Sequence, residues 1–143
     1  MNYTTILVPI DFSDICKLAA KRAVEIQKDS KIDCRVALLH VVDYMPPPHL
    51  QVELPENLSS APRVLADAEE RLAELQSEVG LTNGELIVQI GHPREVIKEV
   101  QKNLGADLII MAKHSRRGLE RMLGSVTNAV ANNTDCELLV LPV

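Results

Sequence analysis

The chain has very few aromatic residues: they make up 2% of its 143 positions, as one Phe and two Tyr with no Trp. This scarcity argues against the stacking platforms on which single-stranded nucleic acids bind, because such platforms need several exposed rings. The formal net charge of −5 also argues against a general binder of nucleic acids or of anionic membranes. We therefore expect no nucleic-acid partner.

Cysteine is also scarce. The three cysteines, Cys16, Cys34 and Cys136, are odd in number and widely spaced. This pattern fits neither a disulfide framework nor a zinc site, and it favours a reducing compartment. The four histidines lack the helical or hairpin spacing of metal ligands, so we expect no metal centre built from them.

Long apolar runs and targeting signals are absent as well. The first five residues lack the basic charge and the long apolar core of a signal peptide. No apolar run approaches the roughly 20 residues that are needed to cross a bilayer. With 143 residues the chain is long enough for one core, and with 46% hydrophobic residues it has the apolar side chains to fill that core. We expect one soluble cytoplasmic domain over residues 1–143, with no membrane partner.

The chain does have a regular alternation of short apolar runs and helical patterns. Five strands are predicted, at Ile6–Ile10, Arg35–Val42, Glu85–Ile90, Leu108–Ala112 and Glu137–Val143. Four helices are predicted, from Ser13 to about Lys28, from Pro62 to about Val79, from Pro93 to Leu104 and from Ser125 to about Asn133. This alternation predicts a three-layer α/β domain, with a doubly wound, mostly parallel sheet and helices on both faces.

Local signals mark several ends of these elements. Ser13 is a candidate N-cap for the first helix, and Pro62 suits the first turn of the second. Gly105 suits the C′ position of the third helix. The segment Asp43–Ser60 contains four prolines and no sustained periodicity, and we predict that it is a mobile surface loop.

Basic residues gather after the fourth predicted strand. A loop of small and basic residues, Lys113–Gly118, is followed by Gly124-Ser125-Val126 at the start of the last helix. Four basic residues and one acidic residue give the stretch a local charge of 4 − 1 = +3: Lys113, Arg116, Arg117, Arg121 and Glu120. Because the first N–H groups of a helix lack partners within it, the segment is predicted to face a phosphate. The alternative for Arg116 and Arg117 is an ordinary solvated face.

Ligands of open parallel sheets bind beyond the carboxyl ends of the strands, where the strand order reverses. Asp11 follows the first strand and could accept a ribose hydroxyl or help to hold Mg²⁺; equally, it could close its own backbone turn. Ser125 could bind phosphate and cap the last helix with the same geometry. His114 could contact a phosphate or remain solvated, and His40 is expected to be a hydrogen-bonded structural residue.

The motifs of common nucleotide enzymes are missing. There is no Gly-x-x-x-x-Gly-Lys-Ser/Thr P-loop and no Gly-x-Gly-x-x-Gly after the first strand. No paired acid and base is evident either. We therefore expect a protein that is not an enzyme.

In their order and spacing, several segments resemble the universal stress proteins over nearly the whole chain. They are Ile6–Ser13, Leu39–Val42, Gly91–Pro93, Ala106–Met111, Arg116–Leu119, Gly124–Val126 and Leu139–Val143. The resemblance implies a five-stranded sheet in the order 3-2-1-4-5 and a fold like that of the adenine nucleotide alpha hydrolases. It also implies a homodimer joined through the last strand, Leu138–Val143. In one branch of the family it also implies ATP bound without rapid turnover.

The same resemblance gives a set of candidate residues for the nucleotide site. They are Pro9, Asp11, Val41, Ala112, Lys113, His114, Ser115, Arg116, Arg117, Gly124, Ser125, Val126 and Thr127. In the ATP-binding branch, the aspartate after the first strand lies near the ribose and the metal, which makes Asp11 a candidate neighbour of Mg²⁺. The end of the second strand contacts adenine, and a glycine-rich loop wraps the phosphates.

The chain departs from that branch in its phosphate loop. The branch carries Gly-x-x-Gly, nine residues and then Gly-Ser or Gly-Thr, whereas Ala112 and Ser115 replace the two glycines here and Arg116–Leu123 is one residue shorter. Where φ must be positive, an alanine costs about 1–2 kcal/mol. Another branch lacks the loop and does not bind ATP.

Two hypotheses follow. The first is a cytoplasmic stress-response protein that binds ATP or a related adenine nucleotide as a switch, without rapid turnover, and the second is a dimeric interaction module without a nucleotide. A third, an enzyme that cleaves at the α-phosphate, would need a Ser-Gly-Gly loop after the first strand, and Asp11–Asp14 does not provide one.

Overall fold

Strands and helices alternate along the chain in this computed structural model, which describes residues 2–43, 57–112, 126–132 and 134–142, with the backbone alone for 57–61. The strands are β1 (Thr5–Pro9), β2 (Arg35–Val42), β3 (Gly84–Ile90), β4 (Leu108–Ala112) and β5 (Glu137–Leu141). The helices are α1 (Cys16–Asp29), α2 (Asn57–Val79), α3 (Pro93–Leu104) and α4 (126–132).

The five strands form one sheet in the order β3-β2-β1-β4-β5. Every neighbouring pair is parallel, and the register places Thr5 opposite Arg35 and Ile6 opposite Leu108. The central strand β1 is covered on both faces, since Ile6, Leu7 and Val8 are fully buried. The predicted parallel sheet and its order 3-2-1-4-5 are thus confirmed.

The side chains of the central strands alternate between two cores. One core contains Ile6, Val8, Val36 and Leu38 together with buried residues of α1 and α2, among them Ala19, Ala23 and Leu72. The other contains Leu7, Ala37 and Leu39 together with Val96, Ile97 and Val100 of α3 and Val126 and Val130 of α4. Since successive side chains of a strand point to opposite faces, this pattern places helices on both sides of the sheet, as predicted.

Several local predictions for helix ends are confirmed. Gly105 follows α3 in the left-handed conformation with φ 66°, where glycine carries no Cβ penalty. Gly80 ends α2 with φ 72°. The prediction of Ser13 as the N-cap is wrong, because α1 begins at Cys16 and Ile15 is its N-cap residue. Ser13 still acts on that helix start, because its Oγ accepts the Cys16 N–H at 3.4 Å.

Other predicted boundaries are wrong. The proposed loop Asp43–Ser60 is too long, because α2 already begins at Asn57; its residues 44–56 lie outside the described part. Pro62 lies inside α2 instead of in its first turn. A proline this near a helix start removes one backbone hydrogen bond, and seventeen further helical residues follow it up to Val79. Strand β5 ends at Leu141 before Pro142, whose nitrogen cannot donate to a ladder.

The amino ends of β1 and β4 are joined by Asp107. Its Oδ2 accepts the N–H of Thr4 at 2.9 Å and the Thr4 hydroxyl at 3.1 Å, and its Oδ1 accepts the N–H of Thr5 at 3.0 Å. Burial acts to raise the pKa of Asp107, but these hydrogen bonds favour the charged form and leave its pKa below the ordinary value of 3.8. The carboxylate therefore fixes β1 beside β4, and so sets which strand ends lie next to each other at the opposite edge.

A second contact at this edge joins Tyr3 to Glu137 at the start of β5. The Tyr3 hydroxyl donates a hydrogen bond to Glu137 Oε2. This bond, burial and the nearby negative charges raise the pKa of Tyr3 to about 12. The amino edge of the sheet is thus held together by side chains that precede or begin the strands.

Candidate functional site

The strand order reverses between β1 and β4. Helices α1 and α2, which follow β1 and β2, pack on one face, whereas α3 and α4, which precede and follow β4, pack on the other. The chain therefore leaves the carboxyl ends of β1 and β4 in opposite directions. This is the position where open parallel sheets bind their ligands.

Three of the predicted site residues lie in the strands at this edge. Pro9 is the last residue of β1, Ala112 is the last residue of β4, and Val41 is the residue before the end of β2. Pro9 and Val41 are partly buried. The three positions belong to neighbouring strands and are therefore brought to the same edge of the sheet by the fold.

Asp11 lies just beyond the end of β1 and is exposed. Its Oδ1 accepts the N–H of Ser13 at 3.0 Å and the Ser13 hydroxyl at 2.6 Å. These contacts close a turn by the Asp side chain, the structural role that the sequence left open for this residue.

The residue after Asp11 has an unusual backbone. Phe12 has φ 63°, in the left-handed region that costs a residue with a Cβ about 1–2 kcal/mol. Its ring lies 4.3 Å from the ring of His40, centroid to centroid, at an interplanar angle of 39°. The guanidinium carbon of Arg71 lies over the same Phe12 ring, 4.1 Å from its centroid.

The free energies of these two ring contacts are large enough to offset the cost of the left-handed conformation. A cation over an aromatic ring contributes about 0.5–1 kcal/mol at an exposed site, and an aromatic pair contributes about 0.5–1.5 kcal/mol. Together they are comparable to the cost of the left-handed backbone. Sequence reasoning gave Phe12 and Arg71 no role, since nothing local to Arg71 on α2 indicates a contact with the turn after β1.

His40 is a structural residue, as predicted. Its Nδ1 lies 2.7 Å from the carbonyl oxygen of Ile10, so Nδ1–H donates and Nε2 carries the lone pair in the neutral ring. The N–H of Ile10 in turn donates to the carbonyl of Leu39 at 2.7 Å. Strand β2 thus holds the residue that precedes Asp11 through both a main-chain bond and a side-chain bond.

The cysteines are not poised for chemistry. Cys16, next to the Asp11 turn, donates its thiol to the carbonyl of Ser13 at 2.9 Å. Burial, with a smaller contribution from the Asp11 carboxylate, raises the pKa of Cys16 to about 11. Burial is also the main cause that raises the pKa values of Cys34 and Cys136. Protonated thiols are weak nucleophiles, so these residues serve as small apolar side chains.

The predicted phosphate loop falls mostly on residues outside the described part of the chain. These are Lys113, His114, Ser115, Arg116, Arg117, Gly124 and Ser125. On its two sides, Ala112 ends β4 and α4 is described from Val126 onward, with Val126 buried and Thr127 partly buried. In the sequence, the basic segment therefore stands between the end of β4 and α4, whose Val126 belongs to the same core as Leu7 of β1.

Ala112 does not carry the backbone cost considered for it from the sequence. It pairs in register with Leu141 in a regular strand, and among the described residues only Phe12 and Asn83 combine a side chain with a positive φ. Its side chain belongs to the core on the α1 side of the sheet. An alanine is thus accommodated at this position without left-handed strain.

The remaining candidates add no metal site. His92 is the N-cap residue of α3, where its carbonyl accepts the Val96 N–H at 2.9 Å and its side chain makes no capping bond. Across the described ranges, no group of three or more His, Cys, Asp or Glu side chains could hold a metal ion. In the same ranges, no helix is both long enough and apolar enough to span a membrane.

Sequence comparison identifies relatives along the whole chain. A model described as the universal stress protein family matches residues 2–142. Universal stress protein MJ0531 of Methanocaldococcus jannaschii is 33% identical over 142 residues, which cover 97% of this chain and 82% of the relative.

Structure comparison agrees. The structure of MJ0577 from the same organism superposes with a TM-score of 0.80 at 25% identity, covering 100% of this chain and 98% of the other. A universal stress protein in complex with cAMP superposes with a TM-score of 0.66 at 22% identity, covering 99% and 98%, a likeness that shows the fold alone. The fold is adenine nucleotide alpha hydrolase-like, and the chain belongs to the universal stress protein family.

Proposed function

We propose that this protein binds an adenine nucleotide, ATP in the first place, and acts in the cytoplasm as a stress-response switch that does not turn the nucleotide over rapidly. The observation that carries the proposal is the exposed Asp11 turn at the point where β1 and β4 diverge. We take an adenine nucleotide as the ligand class to test, since a universal stress protein of the same fold was solved in complex with cAMP.

The described residues supply the parts of a site for the nucleoside. The Asp11 carboxylate is exposed and accepts hydrogen bonds, and a ribose hydroxyl is a donor of the kind that a charged acceptor binds strongly. Val41 packs against the core on the α3 side and offers an apolar wall for the base. The basic segment after Ala112 supplies positive charge for the phosphates.

Magnesium fits this arrangement only together with the phosphates. The described residues contain no group of three or more metal-binding side chains, so phosphate oxygens and water would have to complete the coordination of an ion at Asp11. Mg²⁺ is commonly held by one or two carboxylates plus phosphate oxygens and water. We therefore propose that Mg²⁺ enters with ATP and does not stay bound without it.

Calorimetric titration of the full chain with ATP and Mg²⁺ tests the proposal. Asp11→Ala should weaken binding about tenfold, which corresponds to about 1.4 kcal/mol. Asp14→Ala is the matched control, because it removes the same charge three residues further on from another exposed position. Its affinity should remain within about twofold of wild type.

Absence of binding to the wild type at millimolar ATP would refute the nucleotide hypothesis. Equal affinities of wild type and Asp11→Ala would instead move the site away from the β1 end. Bound ATP should also raise the melting temperature by mass action. Steady release of nucleoside monophosphate or of inorganic phosphate would contradict a switch without rapid turnover.

A dimeric interaction module remains the second candidate, and the Asp11 turn gives it support. The carboxylate already closes a turn with Ser13, a role that needs no ligand. At the sheet edge, β5 leaves Val140 37% exposed, and we propose that a second copy pairs with the strand Leu138–Val143. Sedimentation should give a dimer mass with and without ATP, and Val140→Asp should shift the mass towards the monomer.

A further inference from the structure

The Phe12 ring, the His40 imidazole and the Arg71 guanidinium form a cluster that we call the Phe12 clamp. Its members come from three elements: the turn after β1, strand β2 and helix α2. Phe12 has a left-handed backbone, which a bulky side chain adopts only when the surroundings hold it there. The clamp lies next to Asp11 in the chain, outside the residues assigned to the nucleotide site above.

The clamp holds Asp11 from both sides. Before Asp11, the carbonyl of Ile10 accepts the His40 Nδ1–H at 2.7 Å. After Asp11, the Phe12 ring lies 4.3 Å from the His40 ring and 4.1 Å from the Arg71 guanidinium carbon. The Ser13 N–H that donates to Asp11 Oδ1 follows Phe12 in the chain, so the dihedral angles of Phe12 decide whether this bond forms. The clamp thereby helps to fix where the carboxylate points.

We propose that Arg71 and His40 are positioning residues for the nucleotide site: by holding Phe12 in its left-handed conformation they present Asp11 to the nucleotide. This inference rests on the proposed function. Without the guanidinium, the left-handed backbone of Phe12 loses one of its two ring contacts, and other conformations of the turn become populated. Only molecules with the turn formed bind tightly, so the apparent affinity falls by that fraction. Helix α2 thereby sets the affinity of a site that it does not line.

The main test compares two arginines of the same helix. Arg71→Leu removes the cation above the ring, whereas Arg63→Leu removes the same charge from an exposed position of α2. In calorimetric titrations with ATP and Mg²⁺, Arg71→Leu should bind about three- to tenfold more weakly than wild type. Arg63→Leu should bind within about twofold of wild type, and Arg71→Lys, which keeps a cation over the ring, should recover part of the loss.

Phe12 itself provides a rescue experiment. Phe12→Tyr keeps an aromatic ring on the same backbone and should keep the wild-type affinity within about twofold. Phe12→Leu keeps an apolar side chain but no ring and should bind about three- to tenfold more weakly. A role in core packing alone would lower the melting temperature of Phe12→Leu without this change in affinity.

Hydrogen exchange gives a readout that needs no nucleotide. The N–H of Ser13 donates to Asp11 Oδ1 only while the turn is closed, so its exchange should be several-fold faster in Arg71→Leu. The N–H of Ile10, which donates to β2, should exchange at the wild-type rate. This pattern would show that the clamp acts locally on the turn.

The two proposals fail in different ways. If the wild type binds no nucleotide, the proposed function fails, and the positioning role fails with it. If the wild type binds ATP and Arg71→Leu binds equally well, only the positioning role is overturned. An equal loss in Arg63→Leu would overturn it too, because that result would indicate a general effect of charge.

Discussion

Two aspartates at opposite ends of the sheet are used in different ways. Asp107, at the amino end, accepts three hydrogen bonds from Thr4 and Thr5, which are more than a hundred positions away in the chain. Asp11, at the carboxyl end, accepts hydrogen bonds from Ser13, two positions away. The first carboxylate joins two strands and the second shapes its own turn. The comparison indicates that the amino edge stabilises the fold, while the carboxyl edge presents side chains at the candidate site.

The largest predicted effect concerns Asp107. Asp107→Ala removes three hydrogen bonds to a charged acceptor, and we expect the free energy of unfolding to fall by about 2–3 kcal/mol. Asp33→Ala, at an exposed position before β2, should change it by less than about 0.5 kcal/mol. Urea unfolding measures both. A loss below about 0.5 kcal/mol in Asp107→Ala would contradict the inference that the amino edge of the sheet stabilises the fold.

The same carboxylate predicts a dependence on pH. The pKa of Asp107 is lower in the folded protein than its ordinary value of 3.8. The contribution of Asp107 to the free energy of unfolding is therefore complete above the pKa of the unfolded state and is lost as the pH falls through the pKa of the folded state. The difference in unfolding free energy between wild type and Asp107→Asn should be widest above about pH 5 and should shrink on acidification. A difference that grows in acid would contradict this assignment.

A somewhat smaller effect is expected at the carboxyl edge, where Gly91 follows β3. Its φ is 156°, and a Cβ built there would lie 2.8 Å from Cγ2 of Val96. Gly91→Ala should lower the free energy of unfolding by about 2 kcal/mol, because either the backbone or Val96 must shift. At Gly105 an added Cβ would meet no atom within 4 Å, but the φ is 66°. Gly105→Ala should therefore lower the free energy of unfolding by about 1 kcal/mol.

This pair sharpens the comparison of the two edges. A large loss in Gly91→Ala would show that the carboxyl edge also contributes to stability, at a backbone position outside the Asp11 turn. Equal losses in both variants in urea unfolding would contradict the role of the close contact with Val96.

The smallest effect is expected at Tyr3. Tyr3→Phe removes the hydrogen bond to Glu137 and should cost about 1 kcal/mol or less. Because folding raises the pKa of Tyr3 from 10.0 to about 12, its contribution is complete below the unfolded pKa. It is lost as the pH rises through the folded value.

Ultraviolet titration of Tyr44→Phe, which leaves Tyr3 as the only tyrosine in the sequence, should give a midpoint near 12. A midpoint near 10 would show that the contact with Glu137 does not hold in solution. Asp107 would then hold the amino edge of the sheet together without a contribution from Tyr3.

Much of the fold could be predicted from local signals. The apolar run Leu108–Ala112 is a fully buried strand, and Pro93 and Gly105 mark the two ends of α3. These predictions succeed because backbone preference and apolar periodicity act over a few residues. The boundary at Asn57 was missed since that stretch gives no clear periodic signal, and the proline at position 62 indicated a later start.

In the candidate site too, some residues could be proposed from the sequence and others could not. Asp11 could be proposed from its place after the first strand, and the fold brings Pro9, Val41 and Ala112 to the same edge. The contacts of Phe12 with His40 and Arg71 could not be proposed, because no local pattern links those positions. Whether the site residues bind a nucleotide stays a prediction for the experiments above.

The sequence alone determined which segments form strands and helices and that they alternate, because those properties depend on side-chain periodicity and on residues such as proline and glycine. The order 3-2-1-4-5 came from the family resemblance carried by its motifs. Tertiary structure decided the partners of individual side chains: Asp107 with Thr4 and Thr5, and Arg71 with Phe12. The reason is physical, since a hydrogen bond or a ring contact needs atoms within a few ångströms, and for residues far apart in the chain only the packed sheet provides that proximity.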